Sequence, residues 1–396
     1  MLEQIRFDLK KNLRGSTNVV VFAMLLILML GTFFTALGTK DSSEAGMYNA
    51  YTTAGQNIQK TLDTLQKVKH LTANQKEQLA RKQTQHDYLQ AITMAYAGTM
   101  SAMPTGSFED VNKAVLAYAT YNLKETKAGR ASDLSLVTYD GKALDATLLG
   151  RKKEVALYTY LVQHHVKEIP VSKTDAPGAA YLSYTFLYHL SPLILLAVVG
   201  VLIGQLFTNE KRDGTIAFMN TLPTGKVKIL TARMVTALVL TLPIFGLACF
   251  MTYLITGLKF GWGSWAYPII YSADGKTVAE MSLGHFLGLY LLLFAVATVF
   301  LVVVSALIGL ITANFGVNLV GLGAVILVAT QQVLGQGILK VVAPFLPSSY
   351  FDFSNLILHQ TTWPILSINA GILVILGWSA LIYGICVIIL RKREQL

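Results

Sequence analysis

Three short stretches and two single cysteines hold residue types that could do chemistry. His164 and His165 form an imidazole pair, and "DGKT" at Asp274 to Thr277 carries the tail of a phosphate-binding GxxxxGK[ST] loop. "TGKV" at Thr224 to Val227 has a similar ring, and Cys249 and Cys386 are the only thiols. Adjacent histidines on a helix point in different directions, so the pair is a poor start for a metal site and reads as surface or interfacial. In the first loop candidate, the position five before Gly275 is Ile270, not the glycine the cradle needs; in the second, Val227 replaces the hydroxyl that would hold magnesium. Neither can bind ATP. Both cysteines lie in apolar runs, so no disulfide framework or CxxC site can be drawn, and no HExxH, GxSxG or Cys-His nucleophile pattern occurs.

The elements that would position such groups are hydrophobic to an unusual degree. Of 396 residues, 53% are hydrophobic and only 14% charged, against about a quarter charged in soluble domains. The expected fold class is an all-α polytopic membrane protein. Six apolar runs, Val19 to Leu37, Phe186 to Phe207, Met234 to Thr256, Phe286 to Ile311, Asn318 to Leu339 and Ile368 to Leu390, each approach the ~20 residues a spanning helix needs. The first competes with a cleavable signal peptide, since "ALG" at Ala36 to Gly38 is a passable cleavage site; the run exceeds a usual h-region, and a retained anchor is expected.

Basic residues set the orientation. Arg6, Lys10, Lys11 and Arg14 precede the first run, Lys211, Arg212, Lys226, Lys228 and Arg233 lie between the second and third, and Arg391, Lys392 and Arg393 end the chain. The short segments on the other side hold only Lys259, Lys276 and Lys340. Both termini are therefore expected in the cytoplasm of a multi-pass cell-membrane protein. The net charge of +10, concentrated on that side, signals topology and anionic membrane lipid, with no nucleic acid as partner.

A large, mainly helical extracytoplasmic domain is expected at 39–185, between the first span (18–38) and the remaining five (186–396). Ile58, Leu62, Leu65 and Val68 recur at helical spacing, "TANQ" at Thr72 to Gln75 is a capping box for a second helix carrying Leu79, and a third helix should start after Ser107 with Asp110 three residues on. "YDG" at Tyr139 to Gly141 marks a turn, and "EVALYTYLVQHH" a further amphipathic helix.

The six runs contain no Asp, Glu, Lys or Arg, the groups that ion-coupled transporters place in their spans. Polar residues do occur there. His189, Asn318, Gln331 and Gln332 are pathway candidates, and interhelical hydrogen bonding and close packing is the plainer reading. Between the second and third runs, "NEKRDGTIAFMNTLP" at Asn209 to Pro223 starts a short helix near Asp213 and Gly214 and stops it at Pro223. Its apolar members Ile216, Phe218, Met219 and Leu222 cannot all be hidden within so small an element. Such a helix either docks on a protein partner or rests on the bilayer.

The spacing Glu210-x-x-x-Gly214-Thr215, six residues, Leu222-Pro223 resembles the type 2 ABC exporter permeases. The N-terminal stretch with Leu2, Ile5, Leu9 and Leu13 (1–17) is similar to that family's amphipathic connecting helix, and "VVAPFLPSSYFDFSNLILHQTTWP" (341–364) to its outer re-entrant segment. The large domain after the first span resembles the subgroup of sodium, drug and lipid exporters. The resemblance implies that 209–223 is a coupling helix, with Glu210, Gly214, Thr215, Phe218, Met219, Leu222 and Pro223 docking on a separate ABC ATPase subunit that carries ATP and Mg. It also implies a second permease copy or homologue, outward movement of a peptide, lipid or drug-like substrate, and no cofactor, metal or catalytic residue in this chain. A passive channel or transporter without an ATPase, and a transmembrane signalling or regulatory subunit, remain as alternatives at this stage.

Overall fold

The computed structural model describes residues 2–13, 15–37, 43–68, 70–101, 105–130, 147–170, 176–212, 225–312, 314–328, 333, 335–337, 339–361, 363 and 365–395. They are mainly helical and divide into two compact units, one of 1–31, 182–254 and 286–396, the other of 32–181 and 255–285.

The first unit begins with α1 (Leu2–Leu13) and α2 (Ser16–Met29), bent 67° from each other. A polar stripe one turn apart, Gln4, Asp8 and Asn12, lies along α1: Gln4 donates to Asp8 at 3.0 Å, and Asp8 is only 2% exposed while Phe7 and Leu13 stand out. The first apolar run is not one straight helix, because α2 ends at Leu30 and a short α3 (Gly31–Ala36) follows. The second run is broken as well. A five-residue π-helical turn (Thr185–His189) closes with the Leu190 N–H on the Thr185 carbonyl at 2.8 Å. A new helix then starts at Pro192 after a 96° bend. Proline has no N–H to continue the earlier ladder but suits the first helical position, and Ser191 Oγ accepts the Leu193 N–H there at 3.3 Å.

With α4 to α8 assigned below, this helix is α9 (Pro192–Arg212), followed by α10 (Lys226–Phe260), α11 (Leu283–Ile311), α12 (Phe315–Leu327), two short helices α13 (Leu339–Val342) and α14 (Phe353–Ile357) joined through 3-10 turns, and α15 (Ile368–Gln395). By length and composition α10, α11 and α15 can each cross a membrane, and the two bent pairs raise the count to five. The fifth run is only partly described. Its helix α12 has 13 residues, and 329–332 lie outside the described residues. Aromatic rings form the interior: Phe186 stacks on Tyr290 at 4.4 Å, and Phe245 on Phe294 at 3.7 Å. The segment from 341 onward is pinned to this unit by Ser354 donating to the Phe186 carbonyl at 2.7 Å and Trp378 donating to that of Phe345 at 2.8 Å.

The second unit stacks α4 (Ser43–Gln66), α5 (Ala73–Met100), α6 (Phe108–Lys127) and α7 (Leu148–Gln163), with α8 (Gly178–Tyr184) starting in it. Both capping boxes are present, Thr72 with Gln75 and Ser107 with Asp110, and each satisfies two helix-end donors. Val68 falls past the end of α4 and is exposed, while Ile58 and Leu62 are buried as the spacing requires. The "YDG" turn lies outside the described residues.

A two-stranded antiparallel sheet, β1 (Pro268–Tyr271) and β2 (Ala279–Ser282), has no counterpart in the sequence reading. It packs on α7. Segments far apart in sequence are laced together here: the N–H groups of Gly178 and Ala179 donate to the carbonyls of Gly261 and Trp262 at 2.8 and 2.9 Å. Gly263 has φ +72°, and a Cβ there would lie 2.7 Å from Pro177 Cβ, so only glycine fits both the backbone and the space.

Candidate functional site

The candidate docking segment joins α9 to α10. Glu210 lies in the last turn of α9, whereas Gly214, Thr215, Phe218, Met219, Leu222 and Pro223 lie outside the described residues, so the structure bears on how the segment is held at its ends. Gly200, Gly204 and Thr208 repeat every four residues along α9, and the two glycines face α12. A Cβ on Gly200 would sit 3.7 Å from Leu322 Cδ1, and one on Gly204 3.4 Å from Asn318 Oδ1. Small residues at this spacing let two helices approach closely. Thr208 spends its hydroxyl on the Gly204 carbonyl at 2.9 Å and presents no unpaired donor to its neighbours.

Nearer the segment, Gly309 of α11 lies against Phe207: a Cβ would come within 3.2 Å of that residue's Cβ and carbonyl oxygen. On the far flank, the hydroxyls of Thr231 in α10 and Tyr383 in α15 meet at 2.8 Å. Both ends of the segment therefore leave from helices locked into one bundle.

Of the pathway candidates, Gln331 and Gln332 lie outside the described residues. Asn318 is fully buried and engaged on both ends of its amide: Ser305 Oγ donates to Oδ1 at 2.9 Å, and Nδ2 donates to the Ser305 carbonyl at 3.0 Å. That pair ties α11 to α12, which is what a polar side chain does in an apolar bundle. His189 ends the π-helical turn and is exposed. Sequence reasoning missed the Gly200 and Gly204 stripe, although "GVLIG" is a small-xxx-small pattern on its face.

The remaining chemical candidates are now placed. "DGKT" is the turn of the β1–β2 hairpin, where Asp274 Oδ1 accepts the N–H groups of Lys276 and Thr277 at 2.8 and 2.7 Å and Gly275 takes φ +69°. These backbone bonds hold the Asp274 carboxyl well below the usual range. His164 stacks on Tyr160 at 3.8 Å, and His165 Nδ1 lies 3.3 Å from Glu109 Oε1, so the two rings diverge. Among the described residues no group of three or more His, Cys, Asp and Glu side chains could hold a metal.

Glu168, between α7 and α8, is the one carboxyl in the second unit's described part pushed up to about 7; burial raises it, and a hydrogen bond from the Ser264 backbone partly offsets this. The folded state holds this proton more tightly than the unfolded chain. Its contribution to stability is therefore largest below the unfolded value near 4.5, falls as pH rises toward 7, and is constant above that. Glu168→Gln should remove this slope and raise stability at pH 8 by on the order of 2 kcal/mol, read from thermal unfolding of the two proteins at pH 5 and pH 8. Equal slopes in both would show that Glu168 is not the group responsible.

Set against known protein families, residues 16–389 match the model of the family described as ABC-2 family transporter protein. No match to the chain is found among curated proteins or among solved structures.

Proposed function

The chain belongs to the ABC-2 transporter family and is a membrane transport subunit, and from that premise we propose that it is the permease of an ATP-driven exporter coupled through 209–223 to a separate ATPase. One observation carries the reading. Residues 32–181 and 255–285 fold as a single unit, which supports a common side of the membrane for them and an even number of crossings by the chain between them, α9 and α10. The connection at 213–224 then faces the opposite side. Its basic flanks, Lys211, Arg212, Lys226 and Lys228, make that side the cytoplasm, where ATP is available. On this reading the 32–181 and 255–285 unit is extracytoplasmic, and both termini are cytoplasmic.

In this reading the six apolar runs are six spans, with the fifth run, around α12, completed by residues beyond it, and 341–364 is an outer re-entrant segment. Amphipathic α1 lies along the cytoplasmic face of the cell membrane against its lipid. Phe218, Met219 and Leu222 fill a cleft on the ATPase, Glu210 and Thr215 shape the ends of the helix, and Gly214 and Pro223 start and stop it. ATP and Mg bind on that partner, since neither lysine-bearing loop of this chain can cradle phosphate. Closure of two ATPase subunits draws the coupling helices of two permease copies or homologues together, and the Gly200, Gly204 and Gly309 contacts carry the motion into the bundle. The absence of fixed charge from the apolar runs suits a peptide, lipid or drug-like substrate, with His189, Gln331 and Gln332 as polar contacts and Asn318 supporting the wall.

The test is copurification. Expressed with its cognate ATPase, the tagged chain should carry that subunit through size exclusion in detergent, and after reconstitution a transported peptide or lipid should raise ATP hydrolysis. The chain by itself should give no binding heat with ATP and Mg. Recovery without any ATPase, together with solute flux that needs no ATP, would establish a passive channel instead; association without substrate stimulation would point to a signalling subunit.

A further inference from the structure

The loop that leaves α10, "GWGSWA" at Gly261 to Ala266, carries two indole rings into the open. Trp262 is 47% and Trp265 36% exposed, and Leu258, one turn before Trp262, is 72% exposed. The loop beneath them is braced. The Trp262 ring lies across Gly257, where a Cβ would come 2.7 Å from its Cζ3. The Gly261 N–H donates to the Gly257 carbonyl at 2.9 Å, the carbonyls of Gly261 and Trp262 accept from the start of α8, that of Ser264 accepts from Tyr267 at 3.1 Å, and that of Trp265 accepts from Gly284 at 2.9 Å. Gly261 and Gly263, with φ of +90° and +72°, make the two bends. A rigid loop that holds two large rings outward exposes apolar surface that the chain itself does not cover, the mark of an interaction site.

The place of the loop in the chain says what covers it. The apolar run of α10 ends at Thr256 and that of α11 begins at Phe286, so the loop belongs to the junction between two helices long and apolar enough to cross a membrane. Gly257 to Phe260 continue α10 beyond its run, a rise of ~6 Å. The headgroup layer on either side of the ~30 Å hydrocarbon core is about 5–7 Å deep, so the rings that follow fall within it. Indole suits that layer, with an apolar body for the acyl boundary and an N–H for headgroup oxygens. Lys259 is exposed beside Leu258, where its stem can follow the apolar surface and its ammonium meet lipid phosphate. From Gly257 to Ser272 the sequence has no Asp or Glu to oppose that contact.

We propose that Trp262 and Trp265 form a membrane-interface anchor, seated among the phospholipid headgroups at the ends of α10 and α11 with Lys259 toward lipid phosphate, and that they hold the second unit against the bilayer surface. The proposal rests on the chain being a membrane subunit. It needs neither an ATPase nor a choice of which side of the membrane the loop faces, so it stands or falls apart from the coupling reading.

The experiment is tryptophan fluorescence of the full chain in phosphatidylcholine vesicles, with lipid brominated either just below the headgroup or near the chain ends, and with iodide as the quencher in water. The difference between the parent and Trp262→Phe/Trp265→Phe isolates the two rings from Trp363 and Trp378. Phenylalanine keeps an aromatic ring at both positions, so the double variant should share the parent's size-exclusion profile. Shallow bromines should quench the difference signal about twofold more than deep ones, and iodide should quench it far less than it quenches tryptophanamide in solution. Trp262→Phe and Trp265→Phe alone should each lose part of the shallow quenching. Strong iodide quenching without quenching by brominated lipid would place the rings in water, protection from both would mean that a protein surface covers them, and stronger quenching by the deep bromines would place them in the hydrocarbon core. Each of these results would overturn the proposal.

Discussion

Arg151→Met should destabilise the second unit by about 3–5 kcal/mol, the usual result of stranding one member of a buried ion pair. Arg151 and Glu154 are one turn apart on α7, with side chains 0% and 1% exposed, and Arg151 Nη1 reaches both Glu154 oxygens at 3.0 Å. Around them sit the buried rings of Tyr51, Tyr96, Tyr118 and Tyr158. Burial, and then the neighbouring Tyr96 phenol and Glu154 carboxylate, push the Tyr51 phenol up, so it stays a neutral group and cannot replace the lost cation. A carboxylate without Arg151 must either remain charged in an apolar core or take up a proton, and both cost folding free energy.

Arg151→Met/Glu154→Leu should be markedly less damaging than Arg151→Met alone, because it removes both charges while keeping volume. Chemical denaturation of the three proteins, followed by far-UV circular dichroism, measures this. A single variant within about 1 kcal/mol of the parent, or a double variant no better than the single, would show that the pair is not what holds this core.

The helix starts of the second unit could be read from single residues, because a capping box is local chemistry: Thr72 with Gln75 and Ser107 with Asp110 need nothing from the rest of the chain. The hairpin could not. "PIIY" and "AEMS" are four residues each with no shared alternation, and they become strands by pairing with each other on α7. Hydropathy averages over a window, so it passed over the breaks at Leu30 and at Leu190, where a single proline or turn redirects an apolar run. For the proposed docking segment the reverse holds. Its residues were legible as a motif, and the structure speaks to its two anchored flanks.

Phe218→Glu and Met219→Glu should each abolish coupling. If 209–223 is a helix seated in an apolar cleft of the ATPase, a carboxylate at either position must be buried without a partner or push the helix out, and central apolar anchors of this kind are worth about 2–4 kcal/mol of association. That is a loss of ~30-fold to ~1,000-fold in affinity. Expression and monodispersity should remain those of the parent in both variants. A helix that merely rests on the bilayer would behave otherwise, losing some membrane affinity while leaving any ATPase bound and responsive.

The most direct measurement is therefore pull-down of the ATPase together with substrate-stimulated ATP hydrolysis, on the parent, Phe218→Glu and Met219→Glu chains reconstituted side by side. Loss of both association and stimulation in the two variants, with normal size-exclusion profiles, is the predicted result. Association and stimulation equal to the parent in both variants would contradict the assignment of 209–223 as the coupling helix.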